Sequence, residues 1–139
     1  MNKVAIVYWT GSGNTEQMAN MIGDAVKNAG GEATVSHVSA VSIDDLVTAD
    51  VIALGSPSMG VEVIEESEME PFMASLEGRL QDKKVALFGS YGWGDGQWIR
   101  DWSERIKGNG ANEVVEALAV QGTPEGAECA AFGANLAKA

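Results

Sequence analysis

The stretch that decides the fold is residues 8–17, YWTGSGNTEQ. Ahead of it runs Val4-Ala5-Ile6-Val7-Tyr8-Trp9, apolar without alternation. A parallel strand covered on both faces has that pattern. At Thr10 the polarity switches. Thr10-Gly11-Ser12-Gly13-Asn14-Thr15 holds two glycines and four hydroxyl or amide side chains. Beyond them Met18, Ile22, Ala25 and Ala29 recur at helical spacing. Asn14 reads as the N-cap with Gln17 as its capping-box partner, and Gly30-Gly31 closes the helix.

A strand, a glycine turn and a helix start together make a phosphate cradle. The glycines let successive N–H groups converge, and the helix start adds free amides at a positive dipole end. Thr10, Ser12 and Thr15 bring hydroxyl donors. Yet the cradle contains no Lys or Arg. A P-loop requires Lys, and the dinucleotide fingerprint requires a third glycine where Glu16 stands. Glu16 would also repel a pyrophosphate.

Outward from this stretch the pattern repeats. Apolar β-type runs fall at residues 51–54, 85–88 and 114–120, with a weaker one at 33–38. Between them lie a short helical turn near 43–47 and helices near 67–80, 97–107 and 125–137. Ser67-x-x-Glu70 reads as a capping box ahead of Phe72, Leu76 and Leu80, with Pro71 tolerated in the first turn. Ile99, Trp102 and Ile106 mark the next helix, and Phe132 and Leu136 the last. No linker, repeat or low-complexity segment interrupts the chain. Alternating strands and helices predict an α/β doubly wound sheet as one domain, residues 1–139. Ligands of such sheets bind beyond the carboxyl ends of the strands.

The totals agree. The chain has 139 residues, 45% of them hydrophobic, and a single cysteine, so no internal disulfide is expected and a reducing cytoplasm fits. No apolar run reaches membrane-spanning length, and a secretory cleavage site is missing. Twenty acidic residues against nine basic ones leave a net charge of −11. Nucleic acid and anionic membranes are poor partners for such a surface, and a basic protein is a good one.

Two further loops follow strands: GSPSMGVEV at 55–63 and GSYGWGDGQW at 89–98. In the second, Tyr91 and Trp93 stand among four glycines. A large aromatic there has little core to fill and suits stacking on a flat ligand, with Met59 against the opposite face. His37, the lone histidine, reads as a surface residue, and Cys129 as a small buried thiol. No nucleophile–base set, metal cluster or spaced carboxylate pair stands at the strand ends.

Thr10-Gly11-Ser12-Gly13-Asn14-Thr15, Pro57-Ser58-Met59-Gly60-Val61-Glu62 and Gly89-Ser90-Tyr91-Gly92-Trp93-Gly94 together resemble the short-chain flavodoxins, in order, at the family's spacing and along the whole chain. The resemblance implies a doubly wound five-stranded parallel sheet of order 2-1-3-4-5 with helices on both faces. The stretch 110–121 leaves no room for the insertion that splits the last strand in long-chain members.

The resemblance also implies non-covalent FMN, with no catalytic residue and no metal. Residues Thr10, Gly11, Ser12, Gly13, Asn14 and Thr15 would hold the phosphate. Pro57, Ser58, Met59, Gly60, Val61, Glu62, Ser90, Tyr91, Gly92, Trp93 and Gly94 would hold the ring. Met59 would lie on the inner face, Trp93 would stack outside, and Glu62 would accept from ring N3–H. Amides of Gly92, Trp93 and Gly94 would face N1 and O2. The Gly60 carbonyl would turn toward N5–H after one electron and one proton arrive. Val61 departs from the small or polar residue expected there, and its β-branch confines the positive φ of the turn to Gly60.

The implied function is a low-potential one-electron carrier that shuttles between semiquinone and hydroquinone for redox partner proteins and has no substrate of its own. The rival on the same fold is an FMN-dependent quinone or nicotinamide oxidoreductase, which would need a second pocket. A signalling receiver would need acidic residues where Tyr8-Trp9-Thr10 and Gly55-Ser56-Pro57 stand. No Lys or Arg lies between Lys27 and Arg79, or between Lys84 and Arg100, so neither ring loop carries a cation in sequence. Glu62, Glu65, Glu66, Glu68 and Glu70 make an acidic run beside Trp93, which predicts docking of basic or positively patched partners there by a monomer.

Overall fold

A computed structural model describes residues 2–139, and Met1 lies outside the described residues. The elements run β1 (Lys3–Tyr8), α1 (Asn14–Asn28), β2 (Glu32–His37), α2 (Ile43–Leu46), β3 (Val51–Gly55), α3 (Met69–Leu76), β4 (Lys84–Tyr91), α4 (Gln97–Gly108), β5 (Asn112–Glu113), β6 (Leu118–Gln121) and α5 (Gly126–Lys138). The strands form one parallel sheet of order β2-β1-β3-β4-β5, with β6 also pairing β4. The expected order is present. The last strand, however, is not the single run 114–120. It is two short segments on the same edge of β4, Lys84-Val85 pairing Asn112-Glu113 and Phe88–Tyr91 pairing Leu118–Gln121. The break falls at residues 114–117, where Glu116 is exposed, while the Glu113 carboxylate at the end of β5 reaches the Ser103 hydroxyl and Lys107 on α4.

Alternate residues of each strand serve two cores. Val4, Ile6 and Tyr8 of β1, with Ala53, Ala86 and Phe88, pack under Met18, Ile22 and Val26 of α1 and Phe132 and Leu136 of α5. Val7, Ile52, Leu54, Val85 and Leu87 face the other way, against Met69, Met73 and Leu76 of α3 and Trp98, Trp102 and Ile106 of α4. Helices therefore cover both faces, and every strand ends at the same rim.

At the centre of that rim β3 and β4 come unusually close. The Ser56 N–H donates to Phe88 O at 3.2 Å, and Ser56 O accepts from the buried Trp98 Nε1 at 3.1 Å. A Cβ on Gly89 would lie 2.1 Å from Ser56 O and 3.0 Å from the Trp98 ring. Only glycine permits this approach. Gly89→Ala is expected to destabilise the protein by about 1–3 kcal/mol, the usual cost of overpacking. Urea unfolding checks this, as a lower midpoint at unchanged m.

Candidate functional site

The loop after β1 begins where Trp9 N–H donates to Gly55 O at 3.0 Å, tying it to the end of β3. Gly13 adopts φ 100° immediately ahead of α1, a left-handed conformation that suits glycine. The Thr10 hydroxyl accepts from Gly13 N–H at 3.0 Å and folds the turn over. Asn14 is not the N-cap expected from its type. The left-handed turn at Gly13 makes Asn14 the first helical residue, and its Nδ2 donates instead to Gly122 O at 3.2 Å. Gln17 contributes only its backbone N–H, bonded to Gly13 O. The N–H groups of Gly11, Ser12, Asn14, Thr15 and Glu16 find no acceptor among the described residues. Thr15 is buried, its hydroxyl 3.2 Å from that of Ser90. Glu16 accepts from the Tyr8 hydroxyl at 2.9 Å. Burial first, then the Glu16 bond and its charge, push the Tyr8 pKa up.

The loop after β3 is a closed hairpin. Met59 N–H donates to Val63 O at 2.8 Å and Val63 N–H to Met59 O at 3.0 Å. Gly60, Val61 and Glu62 form the tip. Gly60 has φ 52°, as its place before a β-branched residue predicts, whereas Val61 does not take a positive φ. Glu62, at φ 56°, does, and no local feature of the sequence marks it. The loop's entry is fixed by Ser58 N–H to Ser90 O at 2.9 Å. Ser56 Oγ joins its two ends, donating to Pro57 O at 2.9 Å and accepting from Glu65 N–H at 3.0 Å.

The loop after β4 turns on two left-handed glycines, Gly94 (φ 87°) and Gly96 (φ 91°). Glu62 Oε1 reaches across to accept from Asp95 N–H at 3.2 Å and Gln97 N–H at 3.3 Å, so the two ring loops are one unit. Glu62 Oε2 has no donor among the described residues and can accept another. A fourth loop, after β6, also reaches this rim, although none of its residues is among the expected site residues. Gly122 N–H donates to Tyr91 O at 2.9 Å, and Gln121 Nε2 donates to Gly92 O at 3.3 Å. The Gln121-Gly122 dipeptide after an apolar run was its one sequence signal.

The acidic run is not the uniform patch its sequence suggests. Glu65 is buried, 4% exposed. Its carboxylate accepts from the Ser67 hydroxyl and from the N–H groups of Ser67 (2.7 Å), Glu68 (2.7 Å) and Met69 (2.9 Å). The expected Ser67–Glu70 capping box is therefore absent. Glu65 takes the orphan amides at the start of α3, and Ser67 donates to it. Glu70 forks with Arg105 at 2.6 and 2.7 Å. Glu68 accepts from Trp9 Nε1 at 3.1 Å, and Glu66 is exposed. The ring loops are likewise not without a cation in space. Arg100 folds back to the Asp95 carboxylate at 3.0 Å and carbonyl at 2.8 Å, so its charge is already paired.

His37 is half-buried, edge-on to Tyr8, and Cys129 is buried with its thiol pushed up to about 11, by burial first and then Glu128. Neither lies among the loop residues of the rim.

These residues fit FMN at both ends. Neutral N–H donors in a row match a phosphate that is a fixed part of a cofactor. Trp93 (63% exposed) and Met59 (37% exposed) are large apolar side chains of the two ring loops left uncovered, and a flat ring between them would remove that surface from water.

The comparisons with known proteins agree with this geometry. The flavodoxin family model matches residues 6–133. The chain belongs to the flavodoxin family. It is 48% identical to the flavodoxin of Clostridium beijerinckii over 134 residues, covering 95% of this chain and 97% of that one. It is 45% identical to the flavodoxin of Megasphaera elsdenii over 136 residues, covering 98% and 99%. The solution structure of two-electron reduced Megasphaera elsdenii flavodoxin superposes with a TM-score of 0.91 over 98% of this chain and 99% of that one. As a flavodoxin the chain uses FMN and carries electrons for redox partner proteins rather than turning over a substrate. Among the described residues no helix is long and apolar enough to cross a membrane.

In this flavodoxin the Glu65 carboxyl is expected to titrate low. Burial alone would raise it, but the Ser67 hydroxyl and the amides of Met69, Glu68 and Ser67 outweigh burial and hold it below its ordinary value. A depressed folded pKa stabilises the fold above the unfolded value, about 4.3, and that stability fades as pH falls through the folded value. Glu65→Gln is therefore expected to cost about 2–3 kcal/mol at pH 7, with the gap to wild type closing below about pH 4. Parallel urea titrations from pH 7 to pH 3 measure it.

Proposed function

We propose that residues 10–15 hold the FMN phosphate and that residues 57–62 and 90–94 hold its ring, so that the chain acts as a low-potential carrier. The observation that carries this is the run of amides at Gly11, Ser12, Asn14, Thr15 and Glu16, without an acceptor among the described residues, on the rim that also bears Met59 and Trp93. Bound FMN supplies the redox chemistry, accepting and releasing single electrons. The protein's part is to hold it and set its electrostatics. Thr10 keeps the cradle folded through Gly13. Gly92, Trp93 and Gly94 present backbone to the ring edge, and Glu62 Oε2 is available for a ring N–H.

The electrostatics favour a low potential. Around the ring loops stand Glu62, Glu66, Glu68 and Asp95, and the nearby Arg100 already answers Asp95. Negative charge added beside them meets no uncommitted cation of these loops. Each 1.4 kcal/mol of that cost lowers a one-electron potential by about 60 mV.

Docking is placed at the same rim, with corrected contributors. Val61 (82% exposed) and the outer face of Trp93 offer apolar surface there. Glu66 and Glu68 remain exposed beside it, whereas Glu65 is unavailable to a partner and Glu70 is paired. A partner with a positive patch fits this surface. The net charge of −11 and a lone buried cysteine suit a single-domain monomer working in the cytoplasm.

Titrating the apoprotein with FMN tests the assignment through flavin fluorescence. One FMN is expected per chain, and Trp93→Ala should weaken it by about 0.5–1.5 kcal/mol beyond lost area. An apoprotein that takes up no FMN would end the reading. Electron transfer to a basic acceptor protein should slow as ionic strength rises from about 0.01 to 0.15 M. Glu66→Gln with Glu68→Gln should flatten that salt dependence, and a wild-type slope in the double variant would move the docking face elsewhere.

A further inference from the structure

We propose that Glu65 is the positioning residue of the ring-binding loop: one buried carboxylate holds residues 56–64 in the shape that grips the flavin ring, without touching the ring itself. The inference rests on the assignment of residues 57–62 to the ring.

The Met59–Val63 bonds close the hairpin but do not fix it to the rest of the fold. Its tip carries Val61 in solvent and two positive φ values, at Gly60 and Glu62. A left-handed glutamate is strained and persists only where its surroundings over-determine it. Those surroundings are the Asp95 and Gln97 amides that donate to Glu62 Oε1 and the two ends of the loop. The entry is locked to β4 through Ser56 and Ser58. At the exit Ile64 is buried in the core, and residue 65 adds three polar attachments. Its N–H donates to Ser56 Oγ, closing the loop on its own entry. Its carbonyl accepts from Glu70 N–H at 2.9 Å. Its carboxylate gathers three amides and a hydroxyl at the start of α3. Charge-assisted bonds of this kind are the strong ones, and α3 has no other side-chain cap. Glu65 thus couples the exit of the loop to a helix packed in the core.

The phosphate loop is tied mainly elsewhere, to Gly55, Ser90 and Gly122, and meets this network only at its first residue, where Trp9 Nε1 donates to the exposed carboxylate of Glu68. Loosening Glu65 should therefore weaken the grip on the ring and spare the grip on phosphate, a split that loss of overall stability would not produce.

The test uses the full apoprotein with two probes, riboflavin (the ring without phosphate) by fluorescence and inorganic phosphate by phosphorus NMR. In Glu65→Gln, riboflavin affinity should fall about tenfold, while phosphate affinity stays within about twofold. Ser67→Ala, which removes only the hydroxyl donor, should show the same selectivity to a smaller degree and serves alone if Glu65→Gln fails to fold. Glu104→Gln, exposed on α4, should change neither. Unaltered riboflavin affinity in the folded variants, or equal loss of both probes, would overturn the proposal. A wild-type chain that binds phosphate but neither riboflavin nor FMN would instead overturn the ring assignment, and the proposal with it.

Discussion

The close approach of β3 and β4 at Ser56 is the constraint on which the site depends. Ser56 uses all its polar groups. Its N–H goes to β4, its carbonyl to Trp98 on α4, and its hydroxyl both accepts from Glu65 and donates to Pro57. Gly89 leaves the space that makes this possible. One buried serine thus fixes the end of β3, the start of the ring loop and the start of α4 relative to one another. Where backbone polar groups are buried they must be paired, and here the pairing itself builds the rim.

In the proposed assignment the two ends of the cofactor are met by different physics. At the phosphate end the chain would offer backbone amides that find no acceptor among the described residues, and it would need no cation because nothing there is transferred. At the ring end it offers apolar surface and a carboxylate, with the loop geometry secured from below. Acidic residues serve both as scaffold and as surface. Glu65 and Glu70 are spent on α3 and Arg105, Glu62 bridges the two ring loops, and Glu66 faces solvent.

Much of this was legible in the sequence. The apolar runs without alternation announced a parallel sheet, and Gly11-x-Gly13 announced the cradle. Trp93 among glycines was readable as uncovered surface because such a residue has no core to join. Gly60 ahead of Val61 was readable because only one of the two tolerates positive φ. What escaped depended on tertiary contact. Glu65 resembles its neighbours in type, and nothing local shows that it is buried. The Asn14 and Ser67 caps failed for a related reason. A capping signature reports that a side chain can bond nearby amides, while a left-handed glycine in one case and a buried carboxylate in the other had already settled the helix start. Ser56 and the Gln121-Gly122 turn carry no chemistry of their own, so only the folded chain reveals that they hold the loops together.

The central claim is that a cofactor phosphate is held by neutral backbone donors on a rim whose ring loop is already bonded within itself. Residue-resolved amide hydrogen exchange with and without FMN tests this directly. FMN should slow exchange strongly at Gly11, Ser12, Asn14 and Thr15, whose N–H groups have no acceptor among the described residues. It should change Met59, Val63 and Glu65 far less, because these already donate to Val63 O, Met59 O and Ser56 Oγ. Exchange at residues 11–15 that ignores FMN, or slowing confined to Met59, Val63 and Glu65, would contradict the account.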